Sequence, residues 1–133
     1  MSPDRDADVA LPDACVLVVE DEIVVRALLA DELRAAALTV VEAANADEAW
    51  AYLQSGGHAD LMLSDVRMPG SMDGIELRRR VRAEFPGIKI VITSGNIGPV
   101  IPGEVDAFLP KPYSFTKAVD VVLHLIAKAN SDG

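Results

Sequence analysis

Short apolar runs alternate with amphipathic stretches along this chain, and that rhythm predicts most of its elements. Cys15–Val19 is apolar throughout and too short for a helix, as expected of a strand covered on both faces. From Ile23 to Ala37 the period changes to that of a helix. Val25, Leu28, Leu29, Leu33 and Ala36 share one face, and Arg26, Asp31, Glu32 and Arg34 lie elsewhere. Leu38–Ala43 reads as a second strand. Asn45 or Ala46 opens a helix that runs to Gln54 and stops at Ser55-Gly56-Gly57. Leu61–Ser64 is a third strand, followed by a Pro- and Gly-containing loop over Met68–Gly74. Asp73 is placed to cap a helix through Glu84, which Pro86-Gly87 ends. Ile88–Ile92 and Asp106–Leu109 are the fourth and fifth strands. A last helix runs from about Ser114 to Lys128, with Phe115, Ala118, Val119, Val122, Leu123 and Ile126 as its apolar stripe. Val121 and Leu125 fall off that stripe, as exposed apolar residues or, the slightly favoured reading, as part of a partner surface.

Strands alternating with helices predict an α/β fold, a doubly wound parallel sheet covered on both faces. One interval breaks the alternation. Between Gly95 and Asp106 two prolines and two glycines rule out an ordinary helix, so the fourth crossover is expected to be a loop, with no regular helix over 97–104. No repeat or second domain is visible. The expected organisation is an acidic tail over 1–14, one domain over 15–129 and a short tail over 130–133.

The 133 residues fit a single domain, and the net charge of -9 would repel polyanions, which argues against nucleic acid as a partner. A single cysteine, Cys15, cannot form an internal disulfide and fits a reducing cytoplasm. No apolar run is long enough to span a membrane, and the N-terminus lacks the order of a secretory signal.

Charged residues gather where such a sheet binds ligands, beyond the carboxyl ends of its strands. Glu20 and Asp21 follow the first strand, Asp65 ends the third, Ser94 follows the fourth and Lys111 the fifth. Carboxylates brought within about 5 Å repel by roughly 3 kcal/mol per pair at an effective dielectric of 20. Either one takes up a proton or a cation enters. An all-oxygen, carboxylate-rich set suits Mg²⁺, and no His or Cys cluster exists to recruit zinc. A carboxylate is also a nucleophile toward phosphorus. Phosphoryl transfer needs alignment and charge neutralisation, for which Lys111 would supply a positive charge and a hydroxyl at Ser94 a hydrogen bond.

At these residues the chain resembles the receiver domain of bacterial response regulators, from about Cys15 to Lys128. The resemblance rests on Val-Val-Glu20-Asp21-Glu22, Leu-Ser-Asp65-Val-Arg-Met-Pro69, Met72-Asp73-Gly74, Ile92-Thr93-Ser94-Gly95 and Lys111-Pro112-Tyr113. It implies a five-stranded flavodoxin-like sheet in the order 2-1-3-4-5, with Asp65 as phosphoacceptor. It further implies Mg²⁺ held by Glu20, Asp21, Asp65 and the backbone carbonyl of Arg67. Ser94, with Thr93 as the alternative, would be the switch hydroxyl, Phe108 the switch aromatic and Lys111 the phosphate-pairing lysine. Lys111-Pro112 would be a cis bond. Glu20 stands where many members carry Asp, and the Gly70-Ser71 loop is one residue longer than its shortest form. Arg67 and Asn96, each two residues past a motif residue, are expected to tune the lifetime of the phosphoryl group.

The expected function is a signalling switch, not an enzyme beyond self-catalysed phosphoryl acceptance and hydrolysis. It would take the group from a histidine kinase or a histidine phosphotransfer protein and act on a downstream protein, by relay or as a phosphate drain. With the fourth helix reduced, a homodimer would have to use a non-standard face. Two other classes compete. A phosphorylation-independent binding module would not need Asp65, Asp21 and Lys111 together. A phosphatase of the haloacid dehalogenase type would want an acid where Arg67 stands. Arg78, Arg79, Arg80 and Arg82 read as a solvated helix face, and Trp50 and Tyr52 as packing residues.

Overall fold

The computed structural model describes residues 14–66, 70, 72–95 and 105–132. Five parallel strands, β1 (Cys15–Val19), β2 (Thr39–Ala43), β3 (Leu61–Asp65), β4 (Lys89–Ser94) and β5 (Ala107–Pro110), form one sheet in the order β2-β1-β3-β4-β5. Four helices lie among the described residues: α1 (Ile23–Ala35), α2 (Ala46–Gln54), α3 (Gly74–Glu84) and α4 (Phe115–Asp132). The stretch 97–104, expected to lack a helix, lies outside the described residues, and the described residues between β4 and β5 hold none.

Strand alternation sorts the core into two layers. Val16, Val18, Leu61, Leu63, Val91 and Leu109 face α1 and α4, where Leu29, Leu33, Ala118 and Val122 meet them. Leu17, Val19, Met62, Ile90 and Ile92 face the other way, onto Ala49, Leu53, Leu77 and Val81 of α2 and α3. Both faces are covered, so every central strand reads as a continuous apolar run.

Three helical faces differ from the periodicity reading. On α1 the buried residues are Leu29, Ala30 and Leu33, while Leu28 is 48% exposed, because the contact face is rotated away from the Val25–Leu28 line. On α3 Arg78 is buried with Gly74, Leu77 and Val81. Its position on that i, i+3, i+4, i+7 stripe overrides its charge, whereas Arg79 and Arg80 stay exposed and pair with Glu76 at 3.2 and 3.0 Å. Arg82 pairs with Asp106 at 2.9 Å. On α4 Leu125 is buried and Val121 packs against the same core, so neither is a free surface residue. The helix also continues past Lys128 to Asp132. Trp50 packs edge-on to Phe85, with their rings 5.9 Å apart.

The caps fall where the side chains predict them. Asn45 accepts a hydrogen bond from the Glu48 N–H at 2.8 Å, and Asp73 accepts one from the Glu76 N–H at 2.9 Å. α1 ends at a residue of positive φ, Ala37 (φ 70), which turns the chain into β2.

Candidate functional site

The alternation that sorts the core also assembles the site. Asp65 follows Leu61 and Leu63 on one face of β3, and its register partner on β4 is Thr93, which follows Val91 on the same face. Continuing β1 one step past Val19 returns Glu20 to the side of Val16 and Val18. Continuing β5 past Pro110 returns Lys111 to the side of Leu109. The apolar layer beneath α1 and α4 therefore ends, at the carboxyl edge of the sheet, in a layer of charge.

Glu20, Asp21 and Asp65 each offer a carboxylate oxygen, and these oxygens lie within 4.8 Å of one another. Glu20 and Asp65 are buried and Asp21 is exposed, so the cluster has a closed floor and an open side. Lys111 forms an ion pair with Asp65 at 2.5 Å, and its backbone N–H donates to the Ser94 carbonyl at 2.8 Å. That second bond ties the tips of β4 and β5 together and fixes the lysine's approach. The Lys111-Pro112 bond is cis, as the resemblance implied.

The electrostatics follow from crowding. Burial holds Glu20 above the usual carboxylate range; the Glu22 N–H, which donates to it at 3.1 Å, and the charge of Lys111 oppose the rise, while Asp65 adds to it. Burial works against the charge on Lys111, but the hydrogen bond and charge of Asp65, with the charge of Glu20, outweigh it and raise its pKa. The lysine is thus held as an ammonium. Against it stand three carboxylates, so the cluster carries excess negative charge that a cation would offset.

The donor set fits a magnesium ion. Octahedral Mg²⁺ at about 2.1 Å from each ligand would place its oxygens roughly 3 to 4 Å apart, and the three carboxylate oxygens lie within 4.8 Å of one another. The exposed side leaves room for the waters that such an ion retains.

Sequence reasoning missed the part played by Gly74. A Cβ there would sit 2.1 Å from the Asp65 carbonyl oxygen and 2.9 Å from the Val66 Cα, both backbone atoms. The Gly74 N–H donates to the Val66 carbonyl at 3.0 Å. The first turn of α3 is thereby pressed against the strand tip that carries Asp65. The signal was present as Asp73-Gly74, a cap followed by the one residue without a side chain. Ser94 is buried at the end of β4, Thr93 is fully buried, and Phe108 is partly buried against the α2–α3 layer. Arg67 and Asn96 lie outside the described residues.

The family model for the response regulator receiver domain matches residues 16–123. The sensor kinase CckA of Brucella abortus is 37% identical over 121 residues, covering 86% of this chain but only 13% of that protein. The transcriptional regulator NtrC of Salmonella typhimurium is 33% identical and is covered over 24% of its length. The chain therefore corresponds to one part of these curated relatives. A crystal structure of the response regulator TrrA from Thermotoga maritima, in complex with Mg(2+)-BeF, matches with a TM-score of 0.75 at 28% identity, over 84% of this chain and 98% of that one.

Proposed function

The chain belongs to the response regulator receiver domain family, signalling switches of two-component systems, and from that membership and the site's geometry we propose that Asp65 is its phosphoacceptor. The observation that carries the reading is a buried aspartate at a strand tip with Glu20 and Asp21 within 4.8 Å and Lys111 paired to it. In the proposed step a carboxylate oxygen of Asp65 forms a bond to phosphorus. The P–N bond of a phosphohistidine breaks, and its electron pair returns to the imidazole. Lys111 exchanges its pairing with Asp65 for a phosphoryl oxygen, and Ser94 offers a hydroxyl at the neighbouring strand tip. Glu20, Asp21 and Asp65, with the Arg67 carbonyl, would hold Mg²⁺, which offsets charge on the phosphoryl oxygens when bound. The Mg(2+)-BeF complex of the related TrrA supports this assignment.

Exposed apolar residues border the site residues along the chain. Ile23 and Val24, just after Asp21, are 69% and 68% exposed, and Ile75 at the start of α3 is 41% exposed. A histidine kinase or histidine phosphotransfer protein is the partner that this border, set around an acidic pocket, would accommodate. Phosphorylation would then bias two arrangements of the carboxyl edge through Ser94 and Phe108. Relay, drain and delivery to a downstream protein all remain compatible with this chemistry.

The test is labelling by acetyl phosphate with Mg²⁺ present. The wild-type protein is expected to gain one acid-stable, hydroxylamine-labile phosphoryl group, and Asp65→Asn to gain none. Label persisting at another residue of the variant would refute the assignment. No adduct at all with the wild type would favour a phosphorylation-independent binding module.

A further inference from the structure

Two side-chain hydroxyls at the charged edge of the sheet are buried without a hydrogen-bond partner among the described residues, Thr93 Oγ1 and that of Tyr113. Such a hydroxyl is a standing cost in the resting protein, and most buried donors avoid it. Thr93 lies within β4, at the level of the sheet. Tyr113 is differently placed, two residues beyond Lys111, with its ring packed on the α1–α4 core and edge-on to Phe115 at 6.4 Å between centroids. Packing therefore fixes where its hydroxyl lies.

The residue stands at the charged end of that layer: Tyr113 lies two residues past Lys111, which pairs with Asp65, and its ring packs on the core that ends in Glu20 and Asp65. Burial raises the hydroxyl's pKa first, then the charge of Glu20, with Asp65 adding and Lys111 opposing. The phenol is thus kept protonated, as a donor. Yet the nearby carboxylates are engaged elsewhere. Asp65 holds the Lys111 ammonium, and Glu20 accepts the Glu22 N–H at 3.1 Å. A donor stands among acceptors that it does not reach.

Resting on the reading of Asp65 as phosphoacceptor, we propose that Tyr113 is a positioning residue whose hydroxyl donates to an oxygen of the phosphoryl group carried by Asp65. The group brings three strong acceptor oxygens into a pocket where the hydroxyl otherwise has none in reach. Tyr113 and Lys111 leave the same short turn, so the phosphoryl group would be gripped by an ammonium and a phenol from one side, opposite the carboxylates that hold the metal.

The experiment compares the wild type with Tyr113→Phe, which keeps the ring and removes only the oxygen. Three quantities are measured: the melting temperature of the resting protein, the affinity for Mg²⁺ alone, and the affinity for beryllofluoride at saturating Mg²⁺. Resting stability is expected to be unchanged or higher in the variant, and Mg²⁺ affinity unchanged. Beryllofluoride affinity is expected to fall about ten-fold or more, as for a lost hydrogen bond to a charged group. Equal beryllofluoride affinities would overturn the proposal. So would an equal loss with Mg²⁺ alone, which would put the hydroxyl on the metal's water shell. A marked drop in resting stability would overturn it too, by showing that the hydroxyl already has a partner. A wild-type protein that ignores beryllofluoride and Mg²⁺ would overturn the phosphoacceptor reading, and this proposal with it.

Discussion

The two ends of the sheet carry titratable groups in similar number and treat them in opposite ways. At the amino edge Asp60 accepts the Cys15 N–H at 2.8 Å and contacts His58 Nε2 at 3.1 Å. Its own N–H donates to the Cys15 carbonyl at 2.8 Å, and its carbonyl accepts the Lys89 N–H at 3.0 Å. The Tyr52 hydroxyl donates to the His58 carbonyl at 2.7 Å. One aspartate thus staples the starts of β1, β3 and β4. At the carboxyl edge the carboxylates of Glu20, Asp21 and Asp65 crowd within 4.8 Å of one another, Asp65 pairs with the Lys111 ammonium and Glu20 accepts the Glu22 N–H at 3.1 Å. The difference originates in the backbone. The starts of parallel strands present free N–H groups, which a carboxylate satisfies. Their ends present carbonyls, which only accept. Three acids crowded at that edge gain from a cation or a ligand that brings its own charge. Structure at one edge and chemistry at the other follow from strand polarity.

That contrast is broken most severely at Gly74. Any side chain there meets the backbone of Asp65 and Val66, with a Cβ 2.1 Å from the Asp65 carbonyl oxygen. Gly74→Ala must push α3 or the tip of β3 aside. The expected outcome is a loss of several kcal/mol of stability, on the scale of backbone strain and overpacking. Labelling by acetyl phosphate should slow by about a hundred-fold or more, because a shift of even 1 Å costs that much in aligned chemistry. Denaturant melts with labelling time courses at a temperature where the variant is folded would check both. Normal labelling in a destabilised variant would show that the site tolerates movement of its supporting strand.

Much of this was legible because both signals are periodic. Continuous apolar runs marked five strands, and the charged residues at the carboxyl ends of three of them include Glu20, Asp21, Asp65 and Lys111, which the fold brings together. Less was legible on helices, where charge and spacing compete. Arg78 sits on the buried stripe of α3 by spacing, but the run of arginines around it reads as solvated. Leu28 looks like a core residue by type, but Ala30 takes its place because the contact face of α1 is rotated. Tyr113 and Gly74 were quoted as motif letters with no role, since a missing hydrogen bond and a missing Cβ are three-dimensional facts.

At the amino edge the expected effect is smaller and confined to stability. Asp60→Ala leaves the Cys15 N–H, on a residue only 6% exposed, without its side-chain acceptor. The loss should be about 1–3 kcal/mol, the usual cost of a stranded buried donor. Labelling of Asp65 should proceed at the wild-type rate, since the two residues lie at opposite ends of β3. Urea titration and acetyl-phosphate labelling on the same preparation would decide. A parallel fall in both would mean that the two edges are coupled through β3, and the division of labour proposed above would fail.

The smallest expected effect belongs to Cys15, and its sign is fixed by burial. Burial and the charge of Asp60 raise the thiol pKa above its ordinary value, with the Tyr52 hydrogen bond opposing. The unfolded chain therefore loses the thiol proton at lower pH than the folded one. In that window the folded state binds more protons, so stability is complete below the unfolded pKa of about 8.5 and falls as pH rises toward the folded value. Tyr52, raised mainly by its own burial, contributes a slope of the same sign at higher pH. Cys15→Ala removes a buried sulfur at a cost that does not vary with pH, so the two proteins can be compared by slope alone. Between roughly pH 8 and pH 10 the wild type should lose stability faster than the variant. Parallel lines would mean that the thiol ionises as freely in the fold as outside it. The amino edge would then be no better shielded than the carboxyl edge, and the contrast between them would rest on hydrogen bonds alone.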